Sequence, residues 1–254
     1  MSYVKAVLLA ALGLFAVSAY AQDGAPAQIE MGASLDALDK GYANWRSHYI
    51  EAEKKLGDRH AVYGSLRETE RFKTRDTEVL AGIYYPLASR WTLLAEGNAS
   101  PTHHILAKWS ALGQVQYALD DGWGVHLGLR HTDYNNALSN ILLVTGERYW
   151  SNYRAAYIHS ISTLAGAGSA SNGRIQLTGY YDEQSWIGVN LSNGSEIENL
   201  GSTLGILNTR VQSIGLNGRH WFGRSWAVSY EVAANRQGSL YTRNAFRLGL
   251  RRQF

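Results

Sequence analysis

The sequence predicts an all-β fold, a transmembrane antiparallel β-barrel of about 14 strands, or about 12 if one weak segment is a tail. Apolar and polar residues alternate in segments of roughly ten residues, as in strands with one lipid-facing and one wet face. All 8 Trp lie near predicted strand ends. The mean hydropathy of −0.25 excludes a bundle of membrane helices, because each helix needs ~20 consecutive apolar residues. The absence of Cys excludes a disulfide scaffold and a thiolate metal site.

The N-terminal residues have the pattern of a secretory signal. Lys5 is followed by an apolar run over 6–17 and by the small-residue site Ala19-Tyr20-Ala21. We therefore expect cleavage of residues 1–21 and a barrel over 22–254. The alternative is an uncleaved anchor helix, for which the apolar run is too short. With a formal net charge of +3 and no basic run, the chain is not expected to bind nucleic acid.

Period-two alternation predicts fourteen strands, with boundary errors of ~2–4 residues. The first is the weakest because Ala and Gly contribute to its apolar face. The predicted strands span residues 27–36, 42–56, 60–71, 76–87, 90–100, 107–119, 122–134, 138–150, 153–164, 173–182, 185–194, 207–222, 225–236 and 241–254.

Short and long connections alternate along the chain. We expect short turns at 57–58, 89–90, 120–122, 151–152, 183–184 and 223–224, and longer loops at 100–108, 165–172 and 193–207. Short periplasmic turns and longer external loops are typical of outer-membrane barrels. Pro26, Pro86 and Pro101 all avoid strand centres, as a closed hydrogen-bonded ladder requires.

The positions of the Trp residues predict two aromatic girdles at the membrane–water interfaces. A soluble β-sandwich, the alternative fold, would bury some Trp at mid-strand. Six Trp flank the short turns and two flank the opposite end; the first group is Trp91, Trp123, Trp150, Trp186, Trp221 and Trp226, and the second is Trp45 and Trp109.

The last strand has the pattern of a C-terminal assembly signal. Phe246, Leu248, Leu250 and Phe254 share one face, interrupted only by Arg252. This pattern is typical of a terminal strand read by the barrel-assembly machinery. The expected surroundings are therefore outer-membrane lipid and lipopolysaccharide.

A closed barrel turns its polar face towards a lumen. Two interpretations of that face stay open: a pore whose charges filter solutes, and an ion-pair lattice that partly plugs a narrow barrel. The predicted lumen-lining residues are Glu96, His126, Arg130, Arg154, Arg174, Gln176 and Glu231.

The sequence contains no metal-ligand spacing such as HExxH, so no metal or cofactor is expected. The Gly/Ser-rich segment 166–171 has no following helix and is not expected to hold phosphate. A lipid hydrolase remains the alternative function, with His126, His131 or His159 acting together with Ser110 or Ser160 on the barrel wall.

Several short motifs resemble the YaiO family of outer-membrane β-barrels. They are YANWR at 42–46, Glu96 with SPTH at 100–103, KWS at 108–110, GLRHTDY at 128–134 and ERYWSNYR at 147–154. The resemblance covers nearly all of residues 22–254 and implies a barrel in the outer membrane, but supplies no catalytic residues. The expected function is a passive small-solute channel or a surface-structural barrel, with a link to envelope polysaccharide as a further expectation.

Overall fold

A computed structural model describes residues 26–135, 137–165, 168–182, 184–199 and 206–254. Its fourteen strands close into one antiparallel barrel in which β1 pairs with both β2 and β14. The predicted signal segment 1–21 lies outside the described residues. No helix in the described ranges is long and apolar enough to cross a membrane.

The fourteen-strand prediction is confirmed. The strands are β1 (Ala27–Leu38), β2 (Trp45–Gly57), β3 (His60–Arg71), β4 (Thr74–Pro86), β5 (Trp91–Ala99), β6 (Trp109–Ala118), β7 (Trp123–Tyr134), β8 (Ala137–Trp150), β9 (Tyr153–Leu164), β10 (Gly168–Tyr180), β11 (Trp186–Asn199), β12 (Ile206–Phe222), β13 (Trp226–Gln237) and β14 (Tyr241–Gln253).

Two predicted loops are largely strand. β10 begins at Gly168 rather than at 173, and β11 runs to Asn199 rather than to 194. The added residues are small or polar except for Ile197, so they show little alternation, yet Gly168 pairs with Leu164 across the ladder. Alternation therefore marks only the part of a strand that has one apolar face, and the prediction of long loops at 165–172 and 193–207 was wrong.

The two ends of the barrel differ in their connections. We call the end at which β1 begins and β14 ends the turn end, and the opposite end the loop end. Connections at the turn end are short, as predicted, but 72–73 and 135–136 at the loop end are equally short. Both Phe72 and Lys73 have positive φ, of 51° and 64°, as a two-residue turn between twisted strands requires.

Outward-facing side chains form an apolar belt around the barrel. Leu127 and Leu248, for example, are 59% and 63% exposed, as expected for side chains that only lipid would cover. Inward-facing positions carry mostly polar and charged groups. Among the described residues, the buried apolar cluster is small and centres on Trp45 and Tyr241 at the loop end.

Two inward-facing Tyr rings lie over Gly on a neighbouring strand. Tyr49 covers Gly32 and Tyr63 covers Gly82, so closely that a Cβ at either Gly would overlap the Tyr ring. These Gly residues provide the space that lets each Tyr hydroxyl reach a carboxylate on another strand.

We predict that Gly82→Ala destabilises the barrel, because the added methyl group displaces the Tyr63 ring from its place. Overpacking of this kind typically costs about 1–3 kcal/mol. Urea unfolding of the detergent-solubilised protein, followed by Trp fluorescence, measures the change. Gly113→Ala is the matched control, since a methyl group added at Gly113 would have no other atom within 4 Å. Equal stability of the two variants would contradict this packing argument.

Candidate functional site

The candidate site is the barrel lumen. All the predicted lumen-lining residues lie on inward-facing strand positions. Glu96 and Arg130 meet in an ion pair, and His126 and Arg154 both contact Glu147. Arg174 and Glu231 form no ion pair within the described residues. Gln176 accepts a hydrogen bond from Arg154 Nη1 at 3.3 Å.

Glu30 is a fully buried carboxylate of the lumen; it is 2% exposed and lies where β1 meets β14. Its Oε2 accepts hydrogen bonds from Arg251 Nε at 2.7 Å and from Ser229 Oγ at 2.9 Å. Its Oε1 accepts one from the Tyr49 hydroxyl at 2.8 Å, and Arg247 lies 3.6 Å away. Four strands are therefore joined through one carboxylate. Sequence reasoning missed Glu30, although it lies between Ile29 and Met31 in the alternating pattern.

The two Arg residues of β14 extend this cluster. Arg247 donates from Nη2 to Glu51 at 2.8 Å, and Arg251 donates from Nη1 to Gln28 at 2.8 Å. Arg251 also approaches Glu53 at 3.4 Å. A buried charge is costly unless it is paired and hydrogen-bonded, and the guanidinium fork satisfies several acceptors at once. We call Glu30, Glu51, Tyr49, Arg247 and Arg251 the seam cluster.

A second hydrogen-bonded network lies on the lumen wall formed by β3 to β7. Glu96 accepts hydrogen bonds from Arg130 at 2.7 Å and from the Tyr63 hydroxyl at 2.8 Å. Arg130 also donates to Ser110 Oγ at 3.1 Å, and Ser110 donates to Asn98 at 2.6 Å. The polar groups of β3, β5, β6 and β7 thus satisfy one another across the strands.

A third group surrounds Glu147 on β8. Arg154 Nε donates to Glu147 Oε2 at 2.7 Å, and His126 Nε2 lies 3.0 Å from Oε1. The Arg154 guanidinium also lies 5.8 Å from the centre of the Tyr149 ring. Positive and negative side chains therefore alternate around the lumen wall rather than forming a surface of one sign.

These networks leave space beside β2–β6. One cavity of about 380 Å³ lies against the seam cluster, and a second of about 370 Å³ lies towards the turn end. Both cavities are lined by Ala61 and Tyr84, so they adjoin. The first is also lined by Glu51, Glu53, Tyr63, Arg67, Glu96 and Arg251, and the second by Lys55, Asp58, Arg59, His60, Thr92 and Gln116.

An aromatic cluster occupies the loop end of the lumen. Trp45 is 1% exposed and packs edge-on against Phe72 and Tyr241 at centroid distances of 5.4 and 5.9 Å. The guanidinium groups of Arg71 and Arg243 lie 4.5 and 5.1 Å from the centre of its ring. We call these five residues the loop-end cluster. Trp45 is therefore not a girdle residue, because it shares the inward face of β2 with the seam cluster.

The connection 100–108 folds onto the same end of the lumen. The Asp76 carboxylate accepts hydrogen bonds from the backbone of Ile105 at 2.6 Å and of Leu106 at 2.9 Å, and lies 2.9 Å from His104 Nδ1. Asp76 and Ile105 are buried. These contacts with Asp76 hold the loop against the inward face of β4. No sequence motif predicts them.

The girdle prediction is also wrong for Trp186 and Trp221. Trp186 pairs with Arg219 and Trp221 pairs with Ala227, which is fully buried, so both Trp side chains face inwards at the turn end. The other five are 36–48% exposed on the outward wall: Trp91, Trp109, Trp123, Trp150 and Trp226.

The C-terminal residues lie on the outward wall. Phe246, Leu248 and Leu250 belong to the apolar belt, and the Phe254 amide donates to the Ala27 carbonyl at 2.9 Å. The Arg252 guanidinium lies 5.0 Å from the centre of the Phe254 ring. Recognition of this strand by the assembly machinery stays a prediction.

The structure does not form the Ser–His pairs suggested by the sequence. Ser110, Ser160 and His126 face the lumen, whereas His131 faces outwards and contacts Asn140 at 2.8 Å. His159 also faces outwards, and there it meets Ser171 instead, with 3.2 Å between His159 Nε2 and Ser171 Oγ. No group of three or more His, Cys, Asp or Glu in the described ranges is arranged to hold a metal ion.

Comparisons with known proteins identify a family and a fold. The family model of the YaiO membrane β-barrel domain matches residues 26–199. A search of curated proteins finds no match. Similar solved structures include a bacterial polysaccharide outer-membrane secretin, with a TM-score of 0.57 at 10% identity over 90% of this chain and 98% of that one. The monoaromatic hydrocarbon channel CymD has a TM-score of 0.57 at 8% identity, over 92% and 88%. An anion-selective porin from Comamonas acidovorans has 0.52 at 8%, over 91% and 99%.

We predict that Glu30→Leu strongly destabilises the barrel, because it leaves Arg251 buried without its main partner. Loss of one member of a buried ion pair typically costs about 3–5 kcal/mol. Glu68→Leu is the control, since Glu68 pairs with Arg75 on the exposed outward face, where ion pairs contribute little. Urea unfolding of both variants compares the two sites. The seam cluster would lose its assigned role if Glu30→Leu unfolded at the wild-type urea concentration.

Proposed function

We propose, since the chain belongs to the YaiO membrane β-barrel family and lies in the bacterial outer membrane, that it is a narrow passive channel for small polar solutes. The two adjoining cavities beside β2–β6 carry this proposal. They show that the ion-pair networks leave part of the lumen unfilled. A barrel built only as a surface structure would not need this space, and that role is the alternative.

The charges of the wall bear on which solutes would pass. The first cavity is lined by three Glu and two Arg residues, so neither sign dominates. Tyr63 and Tyr84 add ring faces whose centroids lie 5.9 Å apart. Neutral or zwitterionic polar molecules suit such a wall better than strongly charged ones. The similar folds named above serve different solutes, so the residues of this lumen must decide its selectivity.

The narrow part of the proposed path is the loop end. The loop-end cluster covers one side of it, and the loop anchored on Asp76 covers the adjoining side. Short turns face the periplasm in outer-membrane barrels, so we expect the constriction near the cell surface and the wider cavities towards the periplasm.

We predict that the purified protein gives small conductance steps in a planar bilayer and that Arg130→Glu shifts its selectivity towards cations. The substitution removes the main partner of Glu96 and adds a second carboxylate beside the first cavity. The reversal potential in a salt gradient measures the shift. Arg224→Glu, in an exposed turn, is the control and should leave selectivity unchanged. A silent bilayer with correctly folded protein would favour the surface-structural role.

We also predict that Trp45→Ala enlarges the single-channel conductance, because it removes the largest buried side chain of the loop-end cluster. Trp226→Ala, on the outward wall, should leave the conductance unchanged and serves as the control. Unaltered conductance of Trp45→Ala would place the constriction elsewhere.

Oligosaccharides added in the same assay test the expected link to polysaccharide, since a saccharide that enters the lumen reduces the current.

A further inference from the structure

The outward wall carries a Ser–His contact that the channel does not use. Ser171 Oγ on β10 lies 3.2 Å from His159 Nε2 on β9, and the Tyr157 hydroxyl lies 3.4 Å from His159 Nδ1. When Nδ1–H donates to the Tyr157 oxygen, Nε2 is left to accept the Ser171 proton. This is the tautomer in which a His acts as general base towards a Ser nucleophile.

The contact lies at one edge of a polar strip on the loop-end side of the apolar belt. Cross-strand pairing places His159 beside Gly173, Gly173 beside Asn193 and Asn193 beside Gln212. The next pair in the same row is Gln212 with Arg236. A row that contains polar side chains and one Gly, but no apolar side chain, therefore runs from β9 to β13, next to apolar positions such as Leu191 and Ile214.

Two Arg residues lie at the other side of this strip. Arg210 and Arg236 are exposed, and neither contacts a carboxylate within the described residues. Arg75, by contrast, faces outwards on β4 and pairs with both Glu68 and Glu70. Arg210 lies two strands from Ser171, or roughly 10 Å at the usual strand spacing. Within the described residues, the strip thus combines a Ser–His contact with two Arg residues that have no carboxylate partner, on the loop-end side of the apolar belt.

We propose that Ser171 and His159 are catalytic residues that hydrolyse an acyl ester of a phosphorylated membrane lipid, and that Arg210 and Arg236 bind the phosphate of that lipid. The apolar belt beside the strip would hold the acyl chains. Guanidinium groups are suited to phosphate because they present several donors in a planar fork.

The reaction proceeds in two steps. Ser171 Oγ attacks the ester carbonyl as its proton passes to His159 Nε2, and the tetrahedral intermediate then expels the lipid alkoxide, which takes that proton. A water molecule, deprotonated by His159, next attacks the acyl-Ser171 ester, and the proton returns to Ser171 as the fatty acid leaves. The Asn193 Oδ1 accepts from Gln212 at 3.4 Å, which leaves the Asn193 Nδ2–H groups available to donate to the oxyanion.

A serine-reactive fluorophosphonate probe tests the nucleophile in the full-length, detergent-solubilised protein. We expect labelling at Ser171, identified by peptide mass spectrometry, its loss in Ser171→Ala, and much slower labelling in His159→Asn. Ser169→Ala, two positions along the same strand, is the control and should label normally. Labelling that is absent in the wild type, or equal in all four proteins, would overturn the proposal.

Mixed micelles of detergent with phosphatidylethanolamine or with lipid A test the substrate and its source. Release of fatty acid from either lipid, lost in Ser171→Ala, supports the proposal and identifies the lipid. Arg210→Ala with Arg236→Ala should raise KM while leaving kcat unchanged. Release from neither lipid would overturn it. Ser171→Ala should keep the bilayer conductance of the wild type, so the hydrolase and channel proposals succeed or fail separately.

Discussion

The structure depends on one buried carboxylate at the joint between its first and last strands. Glu30 is held by Arg251, Tyr49 and Ser229, and these contacts tie β1, β2, β13 and β14 together on the inside of the barrel. The backbone ladder alone closes a barrel, but it does not select which strands meet. A carboxylate placed there, with its partners on three other strands, penalises any shift in register because a shift would leave a charge buried and unpaired.

The shape of the lumen follows from the same requirement. The inward-facing carboxylates Glu51, Glu96 and Glu147 each have an Arg partner on another strand, so these polar groups are drawn against the wall. The pair of cavities beside β2–β6 is part of the space that remains, and large side chains occupy the loop end instead. The proposed solute path and its proposed constriction thus follow from how charges and rings are paired, while positive and negative charges on the wall stay near balance.

The sequence predicted the strand number because period-two alternation follows directly from one lipid-facing and one wet face. The strand prediction failed where the two faces of a strand do not differ in polarity, as in the polar start of β10. Trp45, Trp186 and Trp221 were misplaced because a Trp at a strand end suits either face until the register is known. The Ser171–His159 contact was missed for the same reason. Ser160 follows His159 in the chain but points to the opposite face, and the β9–β10 register determines that His159 contacts Ser171 instead.

A disulfide across the β1–β14 joint tests the central claim most directly, since the chain has no Cys of its own. Met31 and Leu250 are directly paired on the outward face. The double substitution Met31→Cys with Leu250→Cys should cross-link readily in the folded barrel, and Met31→Cys with Phe246→Cys should not. Absence of the first cross-link, or equal formation of both, would contradict a fourteen-strand barrel closed in this register.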